Sequence, residues 1–184
     1  FHSHGQDRDM TPWQVAPPQL EDRYTFEDAL VVGGMLLQLL NHADRVKVAC
    51  LAQVVNVIAP ICTANGGDAW RQTIFWPFAD VSNRGRGVVM RQAVESTKYD
   101  CAVQEGVDHL LSAVVHDPET GSVTVFALNR AMDEPLALEV DLRGFGGLDT
   151  VEWTALRSDD LNAVNTPAAP DTVTPASGGA ADIA

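Results

Sequence analysis

A chain of 184 residues, 46% of them hydrophobic, is long enough for one ordinary domain or parts of two and can bury a real core. Its formal charge of -13, with only 12 scattered Lys and Arg, excludes a nucleic-acid partner, which needs a basic stripe, and does not favour an anionic membrane surface. Three cysteines (Cys50, Cys62 and Cys101) without CxxC spacing read as free thiols of a reducing compartment, and no run reaches the roughly 18 apolar residues of a membrane span.

Residues 1–23 are polar and Pro-rich with no sustained period, and are expected to form a long loop anchored by Trp13. There is no initiator Met and no signal-peptide pattern at Phe1, so a fragment of something longer is expected. The clearest helix follows. Thr25 can serve as N-cap with Asp28 three residues on, and Phe26, Ala29, Leu30, Gly33, Leu36, Leu37 and Leu40 give a broad apolar face to about Ala43. Gly33-Gly34 in mid-helix costs about 1 kcal/mol each relative to Ala, which predicts close approach of a neighbouring element.

After the polar turn "NHADR", the run "ACLAQVVNVIAPI" (49–61) reads as a strand buried on both faces, interrupted by two amides, Gln53 and Asn56. A Gly-containing loop, "CTANGGDAW", and a second helix around "FWPFADVSNRG" come next. A buried parallel-type strand between helices fits an α/β barrel or a doubly wound sheet, but one strand alone closes neither. Beyond Gly87 the texture changes to period two. "GVVMRQAV", "VDHLLSAVVHD", "SVTVFALNR", "PLALEVDL" and "TVEWTAL" predict five short antiparallel strands, joined at "DPETGS" and "RGFGGLD", as in a β-sandwich. From Asp159 the Ala/Pro/Thr/Gly-rich sequence predicts a strandless, flexible loop or tail.

Few residues carry chemistry. His2-Ser3-His4 has no third ligand nearby, and His42, His109 and His116 read as structural, so no metal is expected. Asp and Glu residues fall at the helix entrance, in turns and in the tail, with no acid/base pair at a strand end. The Ser and Cys residues lack a nucleophile elbow, and "NGGDAW" and "RGRG" match no nucleotide-binding loop, so no cofactor is expected. Gln53, Asn56, Trp70, Arg71 and Gln72 remain. Amides bond hydroxyls and an indole face covers sugar C–H surface, which suits a polyhydroxylated ligand. The competing reading is that Gln53 and Asn56 only tie down loop backbone.

"YTFEDALVVGGML", "HADRVKVACLAQVVNVIAPI" and "WRQTIFWPFA" resemble, in order, motifs of the C-terminal third of family-51 glycoside hydrolases, the α-L-arabinofuranosidases. The resemblance runs collinearly to about Gly87, loosens to about Leu156, and fades in the tail. It implies that 1–87 is the end of a catalytic (β/α)8 TIM barrel, with 25–43 its seventh helix, 46–53 its eighth strand and 74–84 its last helical segment. It further implies that 88–158 is an antiparallel β-sandwich, followed by the tail at 159–184; the sandwich looks incomplete. The implied activity is retaining removal of terminal α-L-arabinofuranosyl groups from arabinoxylan, arabinan and oligosaccharides. That mechanism uses two glutamates, expected upstream of Phe1, so the chain alone is expected to be inactive. By resemblance Gln72 contacts the arabinose ring, while Gln53, Asn56, Trp70 and Arg71 support the rim. A cytoplasmic location, and a homo-oligomer for the full-length protein, are also implied. The alternative is a non-catalytic β-sandwich module for carbohydrate binding or structural support.

Overall fold

The computed structural model describes residues 22–146, 148 and 152–178. The loop expected over 1–23 therefore lies almost wholly outside the described residues, as do Trp13 and the His2/His4 pair. Helix α1 (Phe26–Asn41) begins where the capping signal placed it. The Asp28 amide donates to Thr25 Oγ1 at 3.3 Å, and Asp28 Oδ2 accepts from the Thr25 amide at 2.9 Å and from its hydroxyl at 3.0 Å. Two further orphan amides of the first turn, those of Phe26 and Glu27, donate to the carbonyls of Ala163 and Leu161. The start of α1 is thus closed by a segment far along the chain.

Behind α1 comes a hairpin, β1 (Ile61–Thr63) and β2 (Ala69–Arg71), then helix α2 (Phe75–Arg84). Pro77 falls in the first turn of α2, where its missing N–H leaves no helical bond unmade. The remaining strands are β3 (Val88–Met90), β4 (Lys98–Cys101), β5 (Gln104–Asp108), β6 (Leu110–His116), β7 (Val123–Asn129), β8 (Trp153–Leu156) and β9 (Pro175–Gly178). Among the described residues the named strands pair antiparallel, in four sheets: β1-β2, β3-β6-β7, β4-β5 and β8-β9. The β6–β7 hairpin turns at 117–122, where the Asp117 amide donates to Ser122 O at 2.9 Å and Gly121 takes φ 72.

Helix α1 lies against the three-stranded sheet. Leu37 packs with Ala113, Val115 and Phe126, flanked by Leu40, Val81, Val89, Leu111 and Leu128. The glycine pair predicted close approach, and α1 shows it on two sides. A Cβ on Gly34 would sit 3.2 Å from Leu128 of β7, and one on Gly33 would sit 3.5 Å from Pro77 of α2. A second cluster joins Tyr24, Val32 and Ile74, with Leu36 and Leu51 alongside. The Asn41 side chain fastens the far end of α1 by donating to Ser112 O of β6.

Several strand expectations fail for one physical reason, which is that a strand exists only where a neighbour completes its ladder. Residues 46–53 form no strand and are not buried on both faces; Val48 is 80% exposed. Among the described residues nothing runs alongside them, and the run breaks where Gln53, Asn56 and Val57 take φ of 57, 60 and 63. "PLALEVDL" (135–142) likewise pairs with nothing described, leaving Leu138 and Val140 exposed. "VDHLLSAVVHD" is two strands in different sheets, because the chain bends at His109. The expected loop "CTANGGDAW" is largely the β1-β2 hairpin, and polar β4 carried too little apolar pattern to be read. Past Asp159 the chain holds β9, which pairs with β8, and a fully buried Val173.

The capping box predicts that Thr25→Ala lowers stability by about 1–2 kcal/mol, read from the urea midpoint at neutral pH; an unchanged midpoint would show that the box contributes nothing. Tyr24, which is buried, donates its hydroxyl to Ile58 O at 2.8 Å. Burial first, then the nearby Asp22, Asp28 and Cys62, push its pKa up to about 12. Below the unfolded tyrosine value, about 10, both states hold the proton and the contribution is intact. From there to about 12 the unfolded state alone releases it, so stability falls with rising pH. Urea midpoints across this window should fall more steeply for the parent than for Tyr24→Phe, and parallel slopes would contradict the shift.

Candidate functional site

Of the predicted site residues, Trp70 and Arg71 close β2 and Gln72 opens the turn between β2 and α2. Gln72 and Thr73 fill this turn and are 3% and 0% exposed. The peptide unit joining Arg71 to Gln72 is held at both polar ends. Its N–H donates to Pro60 O at 2.8 Å, and its carbonyl accepts from Asn165 Nδ2 at 3.0 Å. One residue on, Thr73 Oγ1 donates to Thr25 O at 2.6 Å, tying the turn to the start of α1.

From this fixed backbone the Gln72 side chain reaches into a knot of main-chain groups. Its Nε2 donates to Asp22 O at 3.0 Å and to Ala59 O at 2.8 Å, while Oε1 accepts the Tyr24 amide at 3.0 Å. Both amide hydrogens are engaged, and the remaining bonding capacity is the second lone pair on Oε1. Asp22 is 9% exposed, and its Oδ1 is buried with no hydrogen-bond partner among the described residues. The cluster therefore holds two oxygens with capacity to accept a further bond.

The other predicted residues are placed differently. Asn56 is exposed, in a left-handed conformation that asparagine tolerates well, and starts a turn in which the Ala59 amide returns to Asn56 O at 3.0 Å. Its Oδ1 accepts the Thr63 amide at 2.7 Å and its Nδ2 donates to Thr63 Oγ1 at 2.9 Å, so it fastens β1 to the segment carrying Ala59 and Pro60. Gln53 lies outside this knot, exposed, with φ 57. Trp70 is half-buried and opposes Cys62 in the β1-β2 ladder. The Arg71 guanidinium covers the rings of Phe75 and Trp76 at 5.2 and 5.3 Å, a cation–π pair that sets the hairpin against α2.

Sequence reasoning missed four members. Asp22 and Tyr24 precede the N-cap, where an acid and an aromatic read as ordinary helix entry, and Thr73 carries no motif of its own. Asn165 sits in the Ala/Pro-rich stretch, where nothing marks it, yet it is 5% exposed and bonds across a long separation. A separate cleft of about 300 Å³ is lined by Thr97, His109 and residues 131–136. It contains none of the predicted site residues, and its imidazole is engaged by Thr97 Oγ1 at 2.9 Å and stacked with Tyr99.

Residues 2–184 match the family model for the α-L-arabinofuranosidase C-terminal domain. The chain is 53% identical over 165 residues to the intracellular exo-α-(1→5)-L-arabinofuranosidase of Halalkalibacterium halodurans, covering 90% of this chain and 33% of that protein. The Streptomyces lividans protein of the same name is 51% identical over 163 residues, covering 89% of this chain and 24% of its own length. Among solved structures, a family 51 α-L-arabinofuranosidase from Bifidobacterium longum superposes with TM-score 0.82 at 38% identity, covering 91% of this chain and 32% of that one. The chain spans about a third or less of the length of the relatives it matches. It belongs to the α-L-arabinofuranosidase C-terminal domain family.

Proposed function

We propose that this chain is the C-terminal third of a retaining exo-acting α-L-arabinofuranosidase, and that the Gln72 turn forms part of its arabinofuranosyl-binding wall. The observation that carries the reading is 53% identity across nine-tenths of the chain to a protein named for that activity. In this reading the acid/base and nucleophile carboxylates, about 5 Å apart in a retaining enzyme, come from outside these 184 residues. This chain contributes framework and sugar contact. Gln72 accepts a ring hydroxyl on the second lone pair of Oε1, its own donors being engaged by backbone. Asn56, Trp70 and Arg71 support the rim, with Gln53 at its margin.

The exposed Val48 supports a barrel role for 46–53; as the eighth strand of a (β/α)8 barrel it would be covered by neighbouring strands. Residues 88–158 are proposed as the β-sandwich beside the barrel. Substrates are arabinofuranose-containing oligosaccharides and polysaccharides, with a homo-oligomer as the assembled state. A cytoplasmic location fits the intracellular naming of the relatives.

The purified 184-residue chain should not hydrolyse an aryl α-L-arabinofuranoside above buffer. A chimera in which it replaces the matching third of the Halalkalibacterium halodurans enzyme should hydrolyse it. Enzyme-like turnover by the chain alone, or a folded but inactive chimera, would overturn the reading. In the chimera, Gln72→Ala should reduce kcat/KM by about 1–3 kcal/mol, and removing three buried hydrogen bonds should lower stability by about 3 kcal/mol. Undiminished kcat/KM would take Gln72 out of the sugar site and leave it a structural brace.

A further inference from the structure

The Gln72 side chain can be aimed only if the backbone that launches it is fixed. The direction of its Cα–Cβ bond follows from the orientation of the peptide plane between Arg71 and Gln72, which has two polar handles. Pro60 O holds the N–H handle, and Pro60 belongs to the same local unit as Ala59, which the Gln72 side chain also bonds. The carbonyl handle is held by Asn165 Nδ2, ninety-four positions along the chain.

Asn165 is itself locked. Its Nδ2 also donates to Val173 O at 3.0 Å, and its Oδ1 accepts the Val173 amide at 2.8 Å, while Val173 is 0% exposed. The same Val173 carbonyl accepts Trp76 Nε1 at 3.0 Å, so the segment reaches both sides of the turn, at Arg71 before it and at Trp76 in α2 after it. Just before Asn165, the carbonyls of Leu161 and Ala163 close the first turn of α1, and Val164 bridges to Thr25. Each carboxamide group of Asn165 thus has a defined partner, and its position is set independently of Gln72.

We propose that Asn165 is a positioning residue for the sugar-contacting Gln72, acting through the Arg71 carbonyl. The inference rests on the assignment of Gln72 to the arabinofuranosyl site. It predicts that losing the Asn165 carboxamide lets the 71–72 peptide rotate, so that Oε1 no longer meets the substrate hydroxyl although the fold persists. A wrongly aimed acceptor is worth no more than a missing one. The effect of Asn165 on catalysis must therefore pass through Gln72.

A double-mutant cycle on the chimera tests this. Asn165→Ala should lower kcat/KM about tenfold, the amount of a lost hydrogen bond of ~1.4 kcal/mol, and in a Gln72→Ala background it should lower it no further. Val115→Ala, in the β6 core and away from the Arg71 carbonyl, should reduce Tm while leaving kcat/KM within about twofold. Should Asn165→Ala fail to fold, Asn165→Asp serves. It keeps the acceptor for the Val173 amide and loses the donor to the Arg71 and Val173 carbonyls, so the same non-additivity is expected. If Gln72→Ala alone has no effect, the site assignment falls and the inference falls with it. If Gln72→Ala is costly and the Asn165 penalty persists in full in the double variant, Asn165 is only structural and the inference alone is overturned. An Asn165→Asp chimera with parental kcat/KM overturns it too.

Discussion

The side chain of Gln72 is the tie on which this part of the molecule depends. A buried carboxamide offers two donors and an acceptor in one plane, and here they meet the backbone of two segments: Asp22 and Tyr24 before α1, and Ala59 before β1. These segments have little regular structure of their own, so they cannot satisfy these backbone groups by a ladder or a helix. One amide therefore replaces what secondary structure would supply. Because the buried groups it serves lie in a low-dielectric interior, the bonds are strong when made and each carries a desolvation penalty when lost.

Around that tie the architecture is a sequence of end-closures. The capping box satisfies Thr25 and Asp28, and the carbonyls of Leu161 and Ala163 satisfy the next amides of α1. Thr73 Oγ1 takes the Thr25 carbonyl, and Asn165 takes the Arg71 carbonyl. Two apolar clusters accompany this polar knot, one holding Leu37 and Phe126 and the other Tyr24, Val32 and Ile74. Helix α1 takes part in both clusters, and its glycines let it approach Leu128 and Pro77 closely enough to do so.

Legibility in the sequence followed the range of the interaction. The helix start was readable because Thr25 and Asp28 are three residues apart and act on each other. The β6–β7 hairpin was readable because alternating apolar residues flank the turn 117–122. Residues 46–53 form no strand here because their apolar composition describes what would cover them, while the described residues hold no covering strand. Asn165 was unreadable for the opposite reason. Its partners are far away in sequence, and an asparagine between Val164 and Thr166 is indistinguishable from any loop asparagine. Of the site, the cluster 70–72 was legible, whereas Asp22, Tyr24 and Asn165, which give the cluster its geometry, were not.

The contact between Asn165 and Arg71, spanning ninety-four positions, has a bearing on the order of assembly. Helix α1, the β1-β2 hairpin and α2 can form from near neighbours as soon as they are synthesised, because the loops they close are short. The final orientation of the Gln72 turn cannot be reached until the chain has been made as far as Val173, since Trp76 and Asn165 both wait for its carbonyl. The stretch with the least distinctive sequence is therefore the last to arrive and the one that sets the turn. Synthesis ending before Val173 would leave the helices and central sheet in place with the Gln72 turn unset.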